Sequence, residues 1–244
     1  MNKAERERLK HNEAADAVAV VSLFVATHGR LLALSAVALL IVLGSVLGYG
    51  AWKARTDERA HEMLQAATEI AGQPVAAPTE GAAPAEGSFA TDAERTSAVI
   101  DRLRAVAEAY PSTDAGVQAR YYAASLLAEA NRLDEAAAAY EVVIASAGSA
   151  ITGRMARLGL ASVQVRAKDF DTAIGTFQSL AAAGSELPVD GVLMHLADAY
   201  VQAGRPAEAI ETLRRVVNEF PQSPYATDAR QRADALQADV PRAS

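Results

Sequence analysis

The side chains that most often carry catalysis or hold metals are few and scattered in this chain. Its four histidines, His11, His28, His61 and His195, stand at no metal-ligand spacing from one another or from paired carboxylates. No cysteine is present, which removes thiol chemistry, zinc ribbons and disulfide frames. Asp169 and Asp171 lie together at a turn, where carboxylates favour the start of the following helix through its dipole. No phosphate-binding loop, glycine-rich dinucleotide turn or nucleophile elbow occurs. The expectation is a protein with no catalytic residues, no metal and no cofactor. What remains to carry function is surface, and the elements that would shape it.

Residues 31–51, LLALSAVALLIVLGSVLGYGA, hold no charged side chain. As an α-helix rising about 1.5 Å per residue, such a run matches the roughly 30 Å hydrocarbon core of a bilayer. Tyr49 and Trp52 stand at one end, where amphipathic rings favour the membrane interface. The run is too long, and begins too far into the chain, for a cleaved signal peptide. The reading is an uncleaved transmembrane anchor. Residues 1–30 carry five basic and four acidic side chains, and three basic ones follow the run at Lys53, Arg55 and Arg59. The tail taken whole places the N-terminus in the cytoplasm, whereas a short-window count favours the reverse.

The rest of the composition is all-α in character. Hydrophobic residues make up 51% but aromatic ones only 5%, which favours the best helix formers over the residues strands prefer. The whole chain has a formal charge of −7, and its acidic excess lies beyond the apolar run, which argues against a nucleic-acid partner.

Within the tail, Ala14, Ala17, Val18, Val21 and Val25 form one stripe at helical spacing. It reads equally as a helix lying on a membrane or partner surface and as a spacer. His28 and Gly29 mark an expected break. Residues 52–71 have a helical composition and extend the anchor. Residues 72–90 hold Pro74, Pro78 and Pro84 and read as a linker that lends reach to residues 91–240; residues 241–244 form a tail.

Residues 91–240 repeat themselves. NRLDEA, KDFDTA and GRPAEA end in Ala136, Ala173 and Ala209, at spacings of 37 and 36 residues. Each alanine is followed four residues later by Tyr140, Phe177 or Leu213 and preceded twelve residues earlier by Ala124, Ala161 or Ala197. Such a period, with two helices per unit, is the signature of a helical solenoid. EAYPSTDAGVQAR and NEFPQSPYATDAR also match, at an offset of 110 residues. Residues 92–109 therefore read as the second helix of a degenerate first unit, and residues 223–238 as a capping helix.

These residues resemble the tetratricopeptide repeat (TPR), most fully in Leu196, Ala197, Tyr200, Gly204, Ala209, Leu213 and Pro221. The fold class expected is all-α, a single transmembrane helix followed by a TPR-like solenoid. The resemblance implies protein partners and a concave groove lined by the first helix of each unit. Its lining positions fall on Gln118, Tyr121, Ser125 and Glu129, then Met155, Leu158, Ser162 and Val165, then Met194, Asp198 and Val201. None is a lysine, asparagine or arginine of the kind that clamps a terminal carboxylate in some relatives. Met155, Leu158 and Met194 read either as a groove for apolar segments or as core.

More narrowly, LGLASVQVRAKDFDTAIGTFQSL looks like the central repeat of the YfgM-like ancillary subunits of the SecYEG translocon. That likeness implies an inner-membrane protein of the bacterial envelope with periplasmic repeats. It would be an accessory or chaperone-linked subunit meeting translocon subunits, secreted chains or envelope proteins. The segment from Asn218 onward looks more like repeats of envelope lipoproteins and cell-division coordinators, which implies a structural scaffold instead.

Overall fold

The structure is a computed structural model and describes residues 3–75, 87–148, 150–182 and 187–239. Nine helices occur among the described residues: α1 (Lys3–Ala71), α2 (Asp92–Ala109), α3 (Asp114–Glu129), α4 (Leu133–Ala147), α5 (Ile151–Arg166), α6 (Phe170–Ala181), α7 (Val189–Gln202), α8 (Pro206–Glu219) and α9 (Ala226–Asp239). The chain divides into two compact units, Met1–Arg55 and Thr56–Ser244.

The first unit is helical backbone throughout its described length, and no break occurs at His28 and Gly29. A single glycine costs a helix interior only about 1 kcal/mol, too little to interrupt it here. The apolar run is long and apolar enough to cross a membrane, and none of it is buried. Leu34, Leu40 and Leu47 are each 67% exposed and belong to none of the hydrophobic clusters among the described residues. Tyr49 and Trp52 lie with ring centroids 5.8 Å apart. The side chains of the expected stripe Ala14, Ala17, Val18, Val21 and Val25 lie outside the described residues.

The second unit begins inside α1. Ala60, Leu64 and Ala67 follow the i, i+4, i+7 pattern and are buried against Val99, Leu103 and Val106 of α2 and Ala119 of α3. Residues 56–71 thus act as the missing first helix of the degenerate first repeat. Hydrogen bonds fix the two described ends of residues 72–90. Phe89 N donates to the Pro74 carbonyl at 3.1 Å, and Arg95 donates from Nη1 to the Gln73 carbonyl at 3.0 Å. The described ends of the segment, residues 72–75 and 87–90, are thus held to one another and to α2. Residues 76–86 of it lie outside the described residues.

The three turns legible in the sequence share one geometry. Asn131, Lys168 and Gly204 have φ values of 59°, 66° and 70°. Past each, the next N–H reaches back five residues to a helix carbonyl: Arg132 to Leu127, Asp169 to Gln164, Arg205 to Tyr200, at 2.8–2.9 Å. This is the Schellman closure, which needs a left-handed residue to satisfy the last carbonyls of the helix. Between units the chain turns differently. Tyr110 and Phe220 end α2 and α8 with nearly equal backbone angles, φ −132° and −128°, ψ 54° and 58°. Ahead of α3, Thr113 caps Gly116 N at 3.1 Å. A Cβ on Gly116 would sit 1.9 Å from the Tyr110 carbonyl oxygen, so only glycine fits there. The capping helix starts at Ala226, three residues later than expected, because Tyr225 N bonds the Ser223 hydroxyl in a turn first.

A charged clamp joins α2 to α4. Glu135 accepts from Arg104 at 2.8 Å and from Arg132 at 2.7 Å. The two guanidiniums, Arg132 foremost, hold its carboxyl at about 2, well below its ordinary 4.5. A depressed carboxylate stabilises the fold above its unfolded pKa, and this is lost as pH falls through the folded value. Replacing Glu135 by Gln should therefore lower stability modestly at neutral pH, flatten the decline between about pH 4.5 and 2, and bring the two proteins together at the acid end, read from urea unfolding at stepped pH. Lysine at a left-handed position is strained, so Lys168→Gly should raise stability by about 1 kcal/mol, a shift visible in the same unfolding curves.

Candidate functional site

The first helices of successive repeats line up side by side: α3 meets α5, and α5 meets α7. Between them lies an open cavity of about 300 Å³, lined by Tyr121, Ser125, Glu129, Met155, Leu158 and Ser162, with Ala128, Tyr140, Gly159, Val163, Arg166 and His195 completing it. Six of the residues expected to line a groove therefore come together at one place. Met155 is 40% exposed, whereas Leu158 is partly buried against the neighbouring core.

The other expected lining residues are not in this cavity. Val165 and Met194 are buried at 8% exposure in the core formed with Phe177, Leu180 and Leu193. An apolar residue near the groove edge can turn inward wherever the next repeat stacks over it, and both do. Asp198 pairs with Arg232 of the capping helix. Val201 is exposed beyond the cavity, and Gln118 lines a separate cleft with Pro111 and Thr152.

The floor was not anticipated from the spacing. Tyr140 comes from α4, a second helix, yet its ring reaches the concave side. A Cβ on Gly159 would lie 2.5 Å from the Tyr140 Cζ, so the phenol occupies the room of the side chain glycine lacks. Its hydroxyl meets Ser125 Oγ at 3.0 Å. The Tyr121 ring meets it edge-on at a centroid distance of 5.8 Å. Burial pushes the Tyr140 phenol up from its ordinary range, keeping it neutral. The available signal was the pairing of glycine at 159 with the one hydroxyl-bearing residue among Tyr140, Phe177 and Leu213. On the rim, Arg166 donates to the Ala128 carbonyl and, at 3.0 Å, to Asn131 Oδ1, tying α5 to the preceding turn.

No group of three or more histidines, cysteines or carboxylates stands together among the described residues. The carboxylates Asp169 and Asp171 start α6 as expected of helix-start residues. The arrangement offers shape, an aromatic floor and hydrogen-bond acceptors, with no nucleophile beside a base.

Comparison with known proteins agrees with this architecture. The profile of the tetratricopeptide repeat-like domain family matches residues 23–186, and that of the tetratricopeptide repeat matches residues 167–233. No curated protein matches the sequence. Among solved structures, a single-substitution form of a candidate kinesin light chain from Podosopora anserina, with nearly identical TPR-like repeats, superposes with a TM-score of 0.56 at 14% identity, over 75% of this chain and 86% of that one. A second structure of that kinesin light chain gives 0.50 at 16% identity, over 77% and 99%. At such identity these likenesses speak for the fold alone.

If the Tyr140 ring and the missing side chain at 159 form one packing unit, their substitutions should be coupled. Gly159→Ala should lose about 1–3 kcal/mol by overpacking against the ring. In a Tyr140→Leu background, which has the residue the third unit places at Leu213, the loss should shrink. Urea unfolding of the four proteins in the cycle measures the coupling, and additive losses would show that the two sites are independent.

Proposed function

Because the chain belongs to the tetratricopeptide repeat-like domain family, we propose that it is a membrane-anchored, protein-binding subunit of the bacterial envelope that acts beside the protein translocon. Tetratricopeptide repeats make it a scaffold for protein–protein interaction. The observation that carries the finer reading is the extent of the family match. It begins at residue 23 and takes in the apolar run together with much of the repeats, which supports reading the two as one unit. A chain that carries both an anchor and a concave, partly apolar cavity suits the capture of segments leaving a membrane channel. The proposed topology is single-pass in the inner membrane, with the N-terminus cytoplasmic and the repeats periplasmic. The YfgM-like likeness of residues 158–180 supports the translocon as the place of action.

Crosslinking in native membranes tests this. A photoreactive residue at Tyr121 reports on the groove, whereas Met194 is buried and would report on the core. Crosslinks to translocon subunits, or to many secreted chains, are the expected result. One abundant folded envelope or cell-division protein would replace the reading with that of a structural scaffold.

A further inference from the structure

On the side of α3 turned away from the concave cavity, α2, α3 and α4 enclose an open pit of about 330 Å³. Ala107 and Ala123 form its floor, and both are buried. One repeat length on, at 37 residues, these positions hold Ile144 and Leu160, and Leu196 follows Leu160 after 36 more. Ile144 and Leu160 pack against a core cluster of their own. The pit is therefore the room that two larger side chains take up in the next unit.

A side chain that fits such a pit stands on its rim. Val142 lines it and is 48% exposed. From Ala136 to Ala147, α4 is apolar apart from Tyr140, Glu141 and Ser146, and Ala138, Val142 and Ala145 all face outward. A helix apolar on its outer as well as its inner face is one that something covers. The matching outer positions of later units suit water instead. Where α4 has Ala138 and Val142, α6 has Gly175 and Ser179, and α8 has Glu211 and Arg215.

Two features select the cover. Knob and pit share one patch, so a two-fold axis beside α4 sets Val142 of each copy against the pit of the other. That is the self-complementarity an isologous contact requires. The rim is also balanced in charge, with Arg104 and Arg120 against Glu108 and Glu135. Arg104 and Glu135 pair with each other at 2.8 Å. Arg120 donates to the neutral Ala107 carbonyl at 3.0 Å and keeps its charge, so it and Glu108 present one charge of each sign. From Thr56 onward the chain holds 16 lysines and arginines against 26 aspartates and glutamates, so two copies repel over most of their surface. A face with equal numbers of both signs is where that repulsion is least.

We infer that the chain pairs with a second copy of itself through α4, with Val142 of each protomer seated in the pit over Ala107 and Ala123 of the other. This surface is separate from the concave cavity and leaves it open.

The test uses the full chain in detergent micelles, with the protein mass read by light scattering across a concentration series. Ala123→Leu fills the pit with the residue that the next two units carry, and Val142→Arg puts a charge on the exposed knob. Each should weaken the dimer about tenfold or more. Circular dichroism melting shows which variants are folded. A monomeric parent chain, or a dimer that survives either folded variant, overturns the inference; a dimer held by the anchor alone would survive both. Because the chain has no cysteine, single cysteines report on the contact in native membranes. With a short bis-maleimide, Val142→Cys should give a crosslinked pair of chains. Ser179→Cys, the exposed position one repeat on, should not. Equal crosslinking from both positions overturns the inference, as does a Val142→Cys adduct to a different protein in place of a second copy.

Discussion

The repeat unit depends on how closely paired helices can approach at their alanines. Ala124 and Ala136, Ala161 and Ala173, and Ala197 and Ala209 are all wholly buried. A methyl group at each point lets two helix backbones come near enough for the side chain one turn on to fill the space toward the next unit. Tyr140, Phe177 and Leu213 do so, each at 4% exposure or less. Any larger residue at the alanines would force the hairpin apart and overpack a core with little room to yield. The Schellman turns follow from the same demand. A hairpin this tight must reverse direction in a few residues, and a left-handed residue is the means of doing so while satisfying the last carbonyls of the first helix.

The concave cavity is a consequence of filling those positions unequally. Phenylalanine and leucine stay beneath their first helices, but tyrosine is longer and carries a hydroxyl that must find a partner when buried. Glycine at 159 supplies the room and Ser125 the partner. A repeat with a purely structural role would be served by phenylalanine here, as at Phe177. A polar network in this place ties the floor of the cavity to α3 and keeps the hollow from being packed shut.

Periodicity made the repeats legible from sequence. The alanine pairs, the turn segments and α2 fell where spacing placed them, since each residue type answers to a local constraint that recurs. Two features escaped for opposite reasons. Residues 56–71 look like any amphipathic helix, and only the burial of Ala60, Leu64 and Ala67 reveals that they complete the first repeat. The proline-rich composition of residues 72–90 describes how such a chain behaves when free, and says nothing about whether its ends are held. At the site, family positions found six lining residues through first-helix register. They could not separate Val165 and Met194, which turn inward, or foresee a floor contributed by a second helix. Side-chain direction at a groove edge is set by the neighbouring repeat, which no single-repeat pattern contains.

In the proposed topology, α1 is one helix written for two solvents. From Leu31 to Trp52 its large apolar side chains are exposed on every side, which water does not tolerate over so long a run. Within eight residues of Trp52 the pattern changes to a single buried stripe beginning at Ala60, with His61, Glu62, Gln65, Thr68 and Glu69 exposed off it. Lys53, Arg55, Asp57, Glu58 and Arg59 fill the interval, and Tyr49 and Trp52 stand just before it. Charges of both signs are costly in hydrocarbon and cheap in water, whereas the two rings favour the boundary. In the proposed topology, then, the helix changes environment between Trp52 and Ala60. A repeat whose first helix starts there needs no separate tether, because the segment leaving the bilayer would itself supply the first turn of the solenoid.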